Sequence, residues 1–133
     1  MRVHVRRTAV YFLIVIKSPL LVTCIAGNLE ALQLLLAEGA NLALKNEIGD
    51  SALHLCCLWG RSDMVKYLLD SKISLINVRE QNCLGNTPLH KACAKGYSEI
   101  ATMLTLKGAS LLAVNNEGQT PVDVSAPECI KRI

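Results

Sequence analysis

The chain has 133 residues, 51% of them hydrophobic and 19% charged, with a mean hydropathy of +0.32. That is enough for one small domain, too short for two ordinary ones, and too apolar for a disordered chain. The formal charge of +3 sits at the ends, on Arg2, Arg6, Arg7 and Lys17 and on Lys131 and Arg132, while residues 18–126 are slightly acidic, so no nucleic-acid partner is expected.

Taken from the start, residues 1–17 form a basic and apolar segment. Arg2, Arg6 and Arg7 precede the run Ala9–Ile16, as a basic region precedes the apolar core of a secretory leader. Residues 8–26 also make an apolar stretch with a single charge, Lys17. The alternative function is therefore a membrane-tethered or secreted chain using residues 1–26 as anchor or signal. Lys17 stands at the centre of that stretch, where insertion costs ~2.5–3.5 kcal/mol, and Pro19 lies beside it. A cytoplasmic or nuclear chain is the reading adopted, with membrane association through residues 1–17 set against it.

From Ser18 onward a repeat organises the chain. Ser18-Pro19-Leu20, Ser51-Ala52-Leu53-His54, Thr87-Pro88-Leu89-His90 and Thr120-Pro121-Val122 follow one another at 33, 36 and 33 residues. The opening Ser or Thr is a good helix N-cap, and proline at the next position needs no N–H there. A first helix is expected to run to Gly27, Gly60 and Gly96. A second starts near Asn28, Ser62 and Ser98 and ends near Gly39, Lys72 and Gly108. Polar links such as Asn46-Glu47-Ile48-Gly49-Asp50 read as turns between units. Two short helices cannot bury their apolar faces alone, so neighbouring units must stack.

Gly85-Asn86-Thr87-Pro88-Leu89-His90-Lys91-Ala92-Cys93-Ala94-Lys95-Gly96 resembles the ankyrin-repeat signature G-x-T-P-L-H-x-A-x-x-x-G. The resemblance covers residues 18–126, as units 18–50, 51–86 and 87–119 and a half unit 120–126. The middle unit carries three extra residues, expected in its hairpin over residues 74–84. The resemblance implies an all-α solenoid of stacked helix-turn-helix units with β-hairpin fingers. It implies a non-catalytic scaffold or adaptor that binds another protein, without cofactor. Residues 127–133 form a tail in which Pro127 interrupts the fourth unit. A monomer, or part of a longer array, is expected.

The six cysteines and three histidines invite other chemistry. His54-Leu55-Cys56-Cys57 and His90-Lys91-Ala92-Cys93 both contain H-x-x-C, and two such pairs would make a zinc set. Repeat register accounts for that spacing, because Cys24, Cys57 and Cys93 all fall six residues after a unit start, in a small buried slot. Equivalent positions in stacked helices lie ~8–10 Å apart, beyond disulfide reach. Reduced thiols fit the cytoplasm or nucleus. There is no G-x-S-x-G, P-loop or G-x-G-x-x-G, so neither an enzyme nor a metal site is expected.

The resemblance places the partner against the first helices and the fingers. By offset these positions include Leu55, Leu58 and Trp59, then Lys91 and Lys95, with finger residues Asn46, Asp50 and Asn86. Trp59, the single Trp, is the expected apolar anchor beside a basic side at Lys91 and Lys95, suited to an acidic and hydrophobic segment. Asn77, with Leu69 eight residues earlier, resembles asparagines that are hydroxylated in some ankyrin proteins, although asparagine is also an ordinary turn former.

Overall fold

Each of the three full units begins with a hydroxyl that holds down a helix. In the computed structural model, which describes residues 18–71 and 76–127, the Ser18, Ser51 and Thr87 side chains accept from the backbone N–H three residues on. They open α1 (Pro19–Ala26), α3 (Ala52–Leu58) and α5 (Pro88–Lys95). After each comes an outer helix, α2 (Leu29–Ala37), α4 (Ser62–Asp70) and α6 (Ser98–Leu106). The inner helices α1, α3 and α5 pack in one row and the outer helices in a second. Among the described residues all regular elements are helical.

The core runs continuously between the two rows. Leu20, Leu21, Leu32, Met64, Leu68, Leu89, Ile100 and Leu104 are fully buried, and Cys24, Cys56, Cys57 and Cys93 fill the narrow gaps between inner helices. At the helix-to-helix turns, side chains of one unit cover the preceding one. Arg61 Nη2 donates to Ile25 O at 2.6 Å, satisfying a carbonyl near the end of α1, and its guanidinium lies where a Cβ on Gly27 would stand.

The links between units are tight turns rather than strands. Asn46 N donates to Asp50 O, Asn82 N to Asn86 O and Asn115 N to Gln119 O, closing three successive fingers. Adjacent fingers are joined by Cys83 N to Ile48 O and Asn116 N to Leu84 O, both at 2.9 Å. Asn41, Asn77 and Ser110 each cap the same turn at the base of a finger. This register corrects the position of the insertion. Residues 40–50, 76–86 and 109–119 are equal in length, so the three extra residues fall between Ser71 and Ile76, ahead of the finger. Lys72, the expected end of the second unit's outer helix, lies outside the described residues, and that helix closes at Asp70.

The fourth unit forms a turn without a helix over residues 120–126. Asp123 N donates to the Thr120 hydroxyl, and Thr120 N donates to the Asp123 carboxylate. Ala126 N then donates to Cys93 O. Pro127 has no N–H for a preceding turn and pushes Ala126 out of helical geometry. Residues 1–17 and 128–133 lie outside the described residues, and with them the leader-like run and Cys129.

Candidate functional site

The H-x-x-C motifs resolve into two different structural jobs. His54 Nδ1 accepts from Ser51 N at 3.2 Å, while His54 N donates to the Ser51 hydroxyl, a reciprocal cap. On the other side of the ring, Nε2 lies 2.8 Å from Asn86 O in the next finger. A carbonyl only accepts, so Nε2 carries the proton and the tautomer is fixed. His90 repeats the arrangement with Thr87 N and with Gln119 O at 2.8 Å. Both ring nitrogens are committed, which leaves no lone pair for a metal. The cysteines are equally occupied by packing. The side-chain hydrogen bond with Cys24, then burial, pushes the Cys56 thiol well up, and burial pushes Cys57 up. Protonated, buried thiols are poor nucleophiles and poor ligands. Among the described residues no cluster could hold a metal ion.

Between α3, α5 and the second and third fingers lies a cavity of about 330 Å³. Its apolar wall is Leu58, Leu84, Ala94 and Val124. Its polar wall is mostly amide, from Asn86, Asn115, Asn116 and Gln119, with Lys91 and Glu117 as the charges. The stack builds this site from several repeats: Leu58 ends α3, Leu84 tips the second finger, Lys91 and Ala94 face out of α5, and Val124 comes from the fourth unit's turn.

The structure brings some of the residues singled out from the sequence together and separates others. Leu58, Asn86 and Lys91 meet in the cavity. Leu55 does not reach it; it is 3% exposed, inside the core between inner helices. Asp50, 1% exposed, is also internal: it accepts from Asn82 Nδ2 at 2.8 Å and faces Lys91 Nζ at 3.6 Å. The physical reason is shared. Both positions are covered by the following unit, which repeat offsets alone do not reveal. Lys91 is therefore an ion-paired group, its side chain 14% exposed, while Lys95 is exposed at the end of α5.

Trp59 caps the end of α3 and is 45% exposed, outside the cavity wall. Asn46 is spent on its own finger, where its Oδ1 accepts from Ile48 N and Asp50 N. Asn77 is exposed and its Oδ1 accepts from Arg79 N, the turn role that Asn41 has in the unit before. The offsets missed Asn115 and Val124. Both carry a readable signal: Asn115 stands where Asn46 and Asn82 stand, and Val124 stands four residues after Thr120, as Lys91 stands after Thr87.

Comparison with known proteins supports the same architecture. A family model described as ankyrin repeats (3 copies) matches residues 7–78, and one described as ankyrin repeats (many copies) matches residues 75–125. The chain is 47% identical over 45 residues, 34% of its length, to the Notch-regulated ankyrin repeat-containing protein of Homo sapiens and of Xenopus tropicalis and to the A form of Danio rerio. The chain spans 40% of the length of these relatives. Ankyrin repeats generally mediate protein–protein interaction and are typically non-catalytic.

Proposed function

Because the chain belongs to the ankyrin-repeat family, we propose that it is a scaffold or adaptor that binds one protein partner through the cavity between α3, α5 and the second and third fingers. The observation that carries this reading is the cavity's composition. Leu58, Leu84, Ala94 and Val124 offer an apolar wall that no other part of the described fold fills, and amide side chains surround it. Such a site suits an inserted apolar side chain flanked by backbone groups that hydrogen-bond the amides. With Lys91 held by Asp50, the cation left for an acidic flank of the partner is Lys95, with Trp59 as an exposed aromatic beside the end of α3.

The test is affinity capture from cell extract with mass spectrometry, comparing wild type with Leu84→Asp, Trp59→Ala and Lys95→Glu. Leu84 and Trp59 are exposed, so these changes leave the core intact. Loss of the same captured protein with Leu84→Asp and weaker capture with Lys95→Glu is expected. Unchanged capture in all three variants removes the cavity from the account.

We further propose a cytoplasmic or nuclear location. Cys24, Cys56, Cys57 and Cys83 are free thiols, as a reducing compartment favours. No helix among the described residues is long and apolar enough to cross a membrane. Drawing residues 18–26 into a membrane or a cleaved leader would also strip α1, with buried Leu20, Leu21 and Cys24, from the stack. Fractionation of cells expressing the chain with and without residues 1–17 tests this; membrane recovery that depends on those residues overturns it.

A further inference from the structure

The amides around the cavity orient one another, starting from the backbone of the third finger. Asn115 Oδ1 accepts from Glu117 N at 3.0 Å and Gln119 N at 2.9 Å, and a backbone N–H only donates. Asn115 Nδ2 is therefore the donor of that side chain, and it reaches Asn86 Oδ1 at 3.0 Å and Gln119 Oε1 at 3.1 Å. Both recipients accept through oxygen, so each is left with its NH2 group. Because both accept from one nitrogen, the two amides are neighbours on the cavity wall. Among the described residues, neither Asn86 Nδ2 nor Gln119 Nε2 has a hydrogen-bond partner.

The uncommitted side-chain groups of the cavity sort by depth. Asn86, Lys91 and Gln119 are half-buried and hold donors, Lys91 keeping N–H groups beyond the one that faces Asp50. The acceptors belong to exposed residues: Asn116, whose Nδ2 is spent on Cys83 O, and the Glu117 carboxylate. Water screens Glu117 more than it screens Lys91, whose side chain is 14% exposed. The preceding unit shows how the same position is completed. Asp50, Asn86 and Gln119 each close a finger. Asp50 Oδ1 accepts from Asn82 Nδ2 as Asn86 Oδ1 accepts from Asn115 Nδ2, and the other oxygen of Asp50 meets a group of opposite character, Lys91 Nζ, at 3.6 Å. One repeat on, the counterpart of Lys91 is Val124, which offers the Asn86 NH2 nothing to donate to.

We propose that the cavity reads an acidic side chain: the partner segment seats an aspartate or glutamate carboxylate against the Asn86 and Gln119 NH2 groups, with Lys91 on the same wall. The inference rests on the cavity being the docking site, and it makes Asn86 and Gln119 the residues that set specificity there. A carboxylate supplies the acceptors that the half-buried groups lack and, being charged, takes stronger hydrogen bonds than a neutral carbonyl. A basic side chain would meet N–H groups and the Lys91 charge, and would leave both amides unpaired.

Selection of random peptides displayed on phage, against the purified full chain, tests it, with Asn86→Asp and Gln119→Glu as the deciding variants. Each keeps the oxygen that accepts from Asn115 and exchanges the NH2 for a second oxygen. Wild type is expected to select peptides with aspartate or glutamate near an apolar residue. A selected peptide should lose about tenfold or more in affinity when its acid is changed to the amide. Both variants should select lysine or arginine instead, with Tm unchanged; if Asn86→Asp fails to fold, Gln119→Glu alone makes the comparison. Leu84→Gln, which removes apolar wall without adding charge, separates this inference from the reading beneath it. Peptides that are lost with Leu84→Gln but show no acidic preference, or one unchanged in the amide variants, overturn the carboxylate and leave the cavity as the docking site. Peptides indifferent to Leu84→Gln, or no selected peptide at all, overturn the cavity and the carboxylate with it.

Discussion

At the scale of single residues, the repeated histidine slot records how the units are joined. The slot reads Leu21, His54, His90 and Asp123 through the four units. Only the two histidines can cap their own helix and also bond the next finger. Leu21 is simply buried, and Asp123 caps Thr120. Replacing His54 by Ala removes a cap and one of the two donors to Asn86 O, the other being Asn82 N, so a loss of about 1–3 kcal/mol is expected in urea unfolding. Burial is the main influence holding the His54 pKa below its ordinary 6.5, against the Asn86 carbonyl and the charges of Asp50 and Glu80, which raise it; Lys91 adds to the lowering. The unfolded chain then binds a proton that the folded chain refuses. Stability from this site is fully present above about pH 6.5 and declines as pH falls through the lowered value. The wild type should lose stability over that acid range, and His54→Ala should lose less. The residue types of this slot were legible in the sequence. Their bonds were not, because the acceptors stand 32 and 29 residues away.

At the scale of elements, the fingers behave as a ladder more than as separate loops. Asn82 Nδ2 donates to Asp50 Oδ1, and Asn115 Nδ2 donates to Asn86 Oδ1. In the second and third fingers one Asn thus closes its own turn and reaches the turn before. Glycine tests this directly. Gly85 and Gly118 have φ of 78° and 75°, so a Cβ strains both alike. A Cβ at Gly85 would stand 2.7 Å from Asn116 N and 2.9 Å from Asn115 Cα, backbone that cannot swing away, whereas Gly118 has open space. Gly118→Ala should cost about 1 kcal/mol and Gly85→Ala at least about twice that, measured by chemical denaturation. Helix starts could be read from Ser18, Ser51 and Thr87, since capping is local chemistry. The position of the three-residue insertion could not, because finger length shows only when the hydrogen bonds that close each finger are placed.

At the scale of the whole molecule, the inner helix of the second unit is packed on both of its sides. α3 lies between α1 and α5, and next to α5 in that row the described residues 120–126 form a turn. Amide hydrogen exchange should accordingly be slowest in α3 and α5 and fast over residues 120–127. A core truncation such as Leu68→Ala should cost about 2–5 kcal/mol, in contrast to Leu34→Ala on the exposed face of α2. The sequence by itself determined the repeat, its helices, its caps and the burial of Cys24, Cys57 and Cys93. These follow from periodicity and from chemistry between residues a few positions apart, which the chain order displays. Only the tertiary structure decided which groove residues face solvent: it buried Leu55 and Asp50, paired Lys91 and brought Val124 to the cavity. Exposure at any position depends on what the neighbouring unit covers, and that neighbour is about a full repeat away along the chain.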